Sequence, residues 1–126
     1  MSRIISAAAA LILTAVLTIS GMILNTTTAN EVSERISSAM ESAKKEDIDS
    51  AEKTMKQLEA YWENRNGIML VFTAHDKLDN IDESIKTAGA YLECGDDKMF
   101  IAECRRTLTL LDHFRDIEYP SLNNIF

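Results

Sequence analysis

One proline and four glycines in 126 residues leave little material for turns, which disfavours both a turn-rich β fold and a disordered chain. Basic charge is also short, with 13 Lys and Arg against 20 Asp and Glu and a formal net charge of −7. A nucleic-acid binder needs Lys and Arg to displace phosphate counterions, and no basic cluster occurs here. Glycine-rich phosphate loops, G-x-S-x-G, H-E-x-x-H and C-x-x-C are all absent, as are a twin-arginine motif and a lipobox cysteine. Two cysteines and two histidines are too few for most metal or thiol chemistry. No cofactor, catalytic residue or metal ligand set is assigned, and the chain does not read as an enzyme.

What is present begins with residues 4–24, IISAAAALILTAVLTISGMIL, 21 residues without a charge. About 20 helical residues cross a bilayer core about 30 Å thick, whereas a signal-peptide core is about 7–15 residues long. The run predicts a transmembrane anchor, with removal after Thr27-Thr28-Ala29 as the alternative. Arg3 precedes the run, and Glu31 is the first charge after it. The positive-inside tendency then favours a cytoplasmic N-terminus and an extracytoplasmic remainder, although Arg35, Lys44 and Lys45 weaken the asymmetry. Ser6, Ala10, Ser20 and Gly21 offer small side chains for helix pairing in the membrane, and with it a possible homodimer.

Beyond the run, apolar residues recur at helical spacing. Val32, Ile36, Ala39 and Ala43 form one stripe, and Ile48, Ala51, Met55, Leu58 and Trp62 a second. Leu78, Ile81, Ile85, Ala88 and Leu92 form a third, and Phe100, Cys104, Thr107, Leu111 and Phe114 a fourth, flanked by Leu108. Asp47 or Asp49 is placed to cap the second helix and Asp96 or Asp97 the fourth, while Gly95 stops the third. Thr28 and Glu31 have capping-box spacing, yet neither Pro nor Gly from 22 to 44 prevents a helix from running straight out of the membrane. The apolar run 68–72 after Asn66-Gly67 reads as the start of a long third helix, 68–93, with the turn at Asn66-Gly67. The expected fold is all-α: an N-terminal transmembrane helix, then an antiparallel three- to four-helix bundle. Residues 1–29 form the anchor and a short connector, and residues 30–126 an acidic helical domain.

Few side chains invite chemistry. His75 lies one turn before Asp79 on an acidic face with Asp76 and Glu83, and His113 lies on the fourth helix. Imidazole with carboxylate suits zinc or iron, so a metal- or ligand-responsive domain built on His75 and that face is the alternative function. The simpler reading is a solvated acidic face. Cys104 falls on an apolar stripe and Cys94 opposite one, beside the turn, which predicts a buried and an exposed thiol rather than a disulfide. Trp62 closes its stripe and reads as core, not as a ligand platform. The closing run 117–126 is apolar after Pro120 and is expected to pack back on the bundle.

Several pieces together resemble a known family: the N-terminal apolar segment, Trp62 in an acidic helix, Phe72-Thr73-Ala74-His75-Asp76, the Gly95-Asp96 turn, Leu111-Asp112-His113 and the closing Ser121-Leu122-Asn123-Asn124-Ile125-Phe126. The layout is similar to the small membrane-anchored proteins of clostridia and related spore formers grouped as domain of unknown function 4363. The two cysteines depart from the family's pattern. The resemblance implies a single-pass envelope protein and supplies no activity. The functional expectation is a non-catalytic module, held in the cell membrane by residues 4–24, whose extracytoplasmic bundle binds or scaffolds another envelope protein.

Overall fold

A computed structural model describes residues 1–118. Within them the chain forms α1 (Ser2–Lys44), α2 (Ile48–Met69), α3 (His75–Glu93) and α4 (Asp97–Glu118), with no strand among the described residues. Each helix packs on its chain neighbours and α4 closes on α1, while the diagonal pairs α1–α3 and α2–α4 stay apart. The result is an up-down bundle with a square cross-section, the arrangement that short connections between antiparallel helices produce.

Every member of the four apolar stripes faces the common core except Ile48, which is half-buried at the start of α2. Trp62 and Phe100 are the largest fully buried side chains, and Val32, Ile36, Leu58, Ile81, Ile85 and Leu111 pack around them. Trp62 is core, and its indole Nε1–H donates to Asp82 Oδ1 at 3.1 Å, which satisfies its one polar atom across the α2–α3 seam.

The α1–α2 and α3–α4 turns are built alike. Glu46 (φ 62°) and Gly95 (φ 77°) occupy the left-handed position just past a helix end. Asp47 N–H then reaches back to Ser42 O at 2.9 Å and Asp96 N–H to Tyr91 O at 3.0 Å, closing the orphan carbonyls. The same aspartates cap the next helix: Asp47 Oδ1 accepts from Ser50 N–H at 3.2 Å, and Asp96 Oδ1 from Met99 N–H at 3.1 Å.

Three expectations need correction. The turn between the second and third helices is at residues 70–74, not at Asn66-Gly67, because α2 continues through both residues to Met69. Gly67 has open space around it and tolerates helix there, while buried Met69 draws the last turn of α2 onto the core. Second, Thr28 caps nothing, since α1 runs unbroken from Ser2 to Lys44. Its buried residues begin at Gly21, so the boundary placed at 29 falls inside one helix. Third, Gly21 is covered from within the chain by Phe72 and is not free to pair with another membrane helix. The expected packing of the closing run concerns residues 119–126, outside the described part.

Candidate functional site

The side chains proposed for chemistry are spread apart. His75 is exposed at the N-terminus of α3, with Asp76, Asp79 and Glu83 exposed on the same helix. His113 is exposed on α4, at the rim of a shallow cleft of about 80 Å³ with Lys77 and Asn80. Among the described residues no three His, Cys, Asp or Glu side chains converge as a metal site would require. Cys94 is an exposed free thiol beside Gly95. Cys104 is a buried free thiol, and burial, reinforced by the negative charge of Glu103, pushes it up to about 12. A thiol held protonated in this way is a packing group, not a nucleophile.

Polar groups concentrate in three places. The first is the seam between α2 and α3, the most sparsely packed side of the bundle. Asp82 accepts from Trp62 there and from Lys86 Nζ at 2.9 Å, a bond that holds the Lys86 ammonium above its ordinary range. Glu59 lies against Gly89, and desolvation, then the charges of Glu93 and Glu63, raise its carboxyl above the usual 4.5. The cleft beside it measures about 60 Å³, against the roughly 300–1,000 Å³ of small-molecule sites, so neither cleft encloses a metabolite.

The second is a buried relay between α3 and α4. Ser84 Oγ–H donates to Glu103 Oε1 at 2.9 Å and lies 2.7 Å from Thr107 Oγ1. Thr107 Oγ1 also lies 2.9 Å from the Glu103 carbonyl oxygen, so three contacts share the two hydroxyl protons. Arg106 Nη1 donates to the same carboxylate at 2.9 Å, so the relay ends at a paired charge and is structural.

The third is where the α2–α3 turn meets α1. Phe72 lies against Gly21, where an added Cβ would sit 2.6 Å from the ring. Asn25 Nδ2 donates to Thr73 Oγ1 at 2.7 Å, pinning the turn to α1 by a second point. Asn25 Oδ1, Thr28 Oγ1 and Asn66 Oδ1 are buried there without a protein partner, each a liability of about 1–3 kcal/mol. Sequence reasoning missed this junction. The signal it offered was the uncharged run 66–74, whose apolar residues outnumber what one helix face can bury.

These features sit on one continuous unit, and the family match has the same extent. The model for Domain of unknown function (DUF4363) matches residues 19–125. The chain belongs to that family. The DUF4363 match begins two residues before the first buried position, Gly21, and leaves most of the uncharged run outside. In this DUF4363 protein α1 is long and apolar enough near its start to cross a membrane, and only 6% of its most apolar stretch is buried by the bundle. No curated protein and no solved structure matches the chain.

Proposed function

We propose that this protein is a non-catalytic module held in a membrane by residues 4–24, with its helical bundle on the extracytoplasmic side binding or scaffolding another membrane or envelope protein. The observation that carries the reading is the free half of α1. Residues 2–20 are all exposed, carry one charge at Arg3, and project from the bundle as regular helix. In water such a surface is an aggregation liability; in lipid it is at its energy minimum. Its hydroxyls support the same medium. Ser6, Thr14 and Thr18 each donate to a carbonyl four residues back at 2.9 Å, which removes their need for water. The scattered titratable groups, none of which among the described residues lines the roomy groove at Leu17, Gly21, Val71 and Phe72, support a role in contact and positioning over turnover.

Cys94 supplies the test. In intact cells a membrane-impermeant maleimide should label the protein in the membrane fraction, and Cys94→Ser should abolish most labelling, since Cys104 is buried. Labelling only after lysis would put the bundle in the cytoplasm. Labelled protein in the medium, starting at Asn30, would mean that the apolar run is a removed signal. Crosslinking in cells followed by mass spectrometry identifies the partner, and recovery of self-crosslinks alone would replace scaffolding of another protein with self-association.

A further inference from the structure

The free half of α1 ends just before the level at which a membrane-spanning helix that starts at Arg3 would leave the hydrocarbon. Residues 2–20 span about 28 Å at 1.5 Å per residue, against a hydrocarbon core about 30 Å thick. With Arg3 at one face, the other face of the core falls near residue 23, past Gly21. Gly21 is where Phe72 lies against α1, so the α2–α3 turn reaches the level at which the bilayer ends. Its composition fits that level. Residues 66–74 carry no charge, and Ile68, Val71 and Phe72 are 53%, 77% and 38% exposed, Phe72 even with part of its side chain against Gly21.

The other two turns differ in kind. Residues 44–47 are Lys-Lys-Glu-Asp and residues 95–97 are Gly-Asp-Asp, both at the end away from the free half of α1. Outside the uncharged run, exposed large apolar side chains are thus concentrated at the one turn that lies beside it, where they continue its surface, against Met99 alone beside the far turns among the described residues. Between them an open groove of about 470 Å³ is lined by Thr14, Leu17, Thr18, Gly21 and Met22 of α1 and by Val71 and Phe72. Both threonine hydroxyls are already bonded within the helix, so the groove presents hydrocarbon.

We propose that the α2–α3 turn is a lipid-docking element: Ile68, Val71 and Phe72 enter the interfacial zone of the leaflet that α1 leaves, and the groove between the turn and α1 takes a phospholipid acyl chain. The inference rests on the anchoring reading above. The partner is a bilayer in general and not an anionic one, because the nearest flanking charges, Glu63, Arg65, Asp76 and Lys77, balance. Burial of apolar area in the interface supplies the attraction, and the two contacts of the turn with α1, Phe72 on Gly21 and Asn25 to Thr73, hold it in place.

The test uses the full chain reconstituted in phosphatidylcholine vesicles, with single reporter cysteines carrying an environment-sensitive fluorophore. Val71→Cys in a Cys94→Ser background reports on the turn, Leu13→Cys in the same background reports on the span, and native Cys94 reports on the far end. Val71 is largely exposed, so the change leaves the core intact, and unchanged helicity by circular dichroism verifies it. Lipids with a shallow doxyl group should quench position 71 and lipids with a deep group position 13, while Cys94 should answer only to aqueous iodide. Iodide quenching at 71 with lipid quenching at 13 overturns the docking element and leaves the anchor standing. Protection of 71 from both quenchers, with 13 in lipid, means that protein and not lipid covers the turn and likewise overturns it. Iodide quenching at 13 removes the anchor, and the docking element with it.

Discussion

The two ends of the bundle solve the same problem with different materials. At the far end, two three-residue turns each place one residue in the left-handed region, recapture the last carbonyls and hand an aspartate to the next helix as its cap. Those turns are charged, and they are complete without any outside partner. At the near end a single five-residue turn has no side-chain cap for α3, whose N-cap is Ala74. It is held instead by Phe72 on Gly21 and by Thr73 on Asn25, and it leaves three buried oxygens unmatched. The far end is built for water, whereas the near end relies on α1 and exposes apolar side chains beside it.

Breaking the shared core should abolish the comparison altogether. Trp62→Ala should lose about 3–5 kcal/mol in denaturant unfolding of the full chain in detergent, because the residue is fully buried between the helices. Both ends should melt in one transition; two transitions would show that the ends are separate units. Next come the twin turns. Gly95→Ala puts a Cβ at φ 77° and should lose about 1–2 kcal/mol, while Glu46→Gly relieves φ 62° and should gain about 1 kcal/mol. Equal signs for the two changes would end the claim that the turns are equivalent.

At the near end, Thr28→Val keeps the shape and removes a buried hydroxyl without a partner, so it should gain about 1 kcal/mol. A loss of that size would mean that the hydroxyl is in fact satisfied. The smallest effect belongs to the acidic seam. The Glu59 carboxyl is raised above its unfolded value of 4.5, so the folded state holds its proton more tightly, and stability falls as pH rises from 4.5 through the raised value. Glu59→Gln should therefore stabilise at neutral pH by no more than about 0.5 kcal/mol, given the partial exposure of the site, and the gain should vanish below pH 4.5. A gain that persists at low pH would assign the effect to packing against Gly89 and not to charge.

The far end was the more legible of the two in the sequence, for a physical reason. Gly95, Asp96 and Asp47 act locally, and a left-handed residue or a cap is decided within five positions. The core stripes are legible on the same ground: periodicity at three and four selected Val32, Met55, Ile85 and Leu111 without knowledge of their partners. The near end depends on contacts 48 and more positions apart, Asn25 with Thr73 and Gly21 with Phe72, which no local pattern encodes. The start of the third helix was misplaced for that reason. The run 68–72 carries no Gly or Pro to mark a break, and the chain leaves the helix after Met69, just before Phe72 meets α1. His75 and Asp79 have helical spacing, but spacing does not supply the third ligand, and the fold brings none among the described residues.

Alpha1 has no joint. Forty-three residues of uninterrupted helix, about 65 Å, carry the chain from its apolar start to the Glu46 turn, and the bundle grips the second half along one face. The azimuth of the free half is therefore locked to that of the bundle, at 100° per residue. A single residue inserted among positions 5–19 would swing everything before it through 100° while the bundle stayed as it is, and seven inserted residues would bring it back to within about 20°. Any neighbour that grips the free half thus meets the bundle at an angle set by α1 itself, with no break in the helix between the far turn and Arg3 to change it.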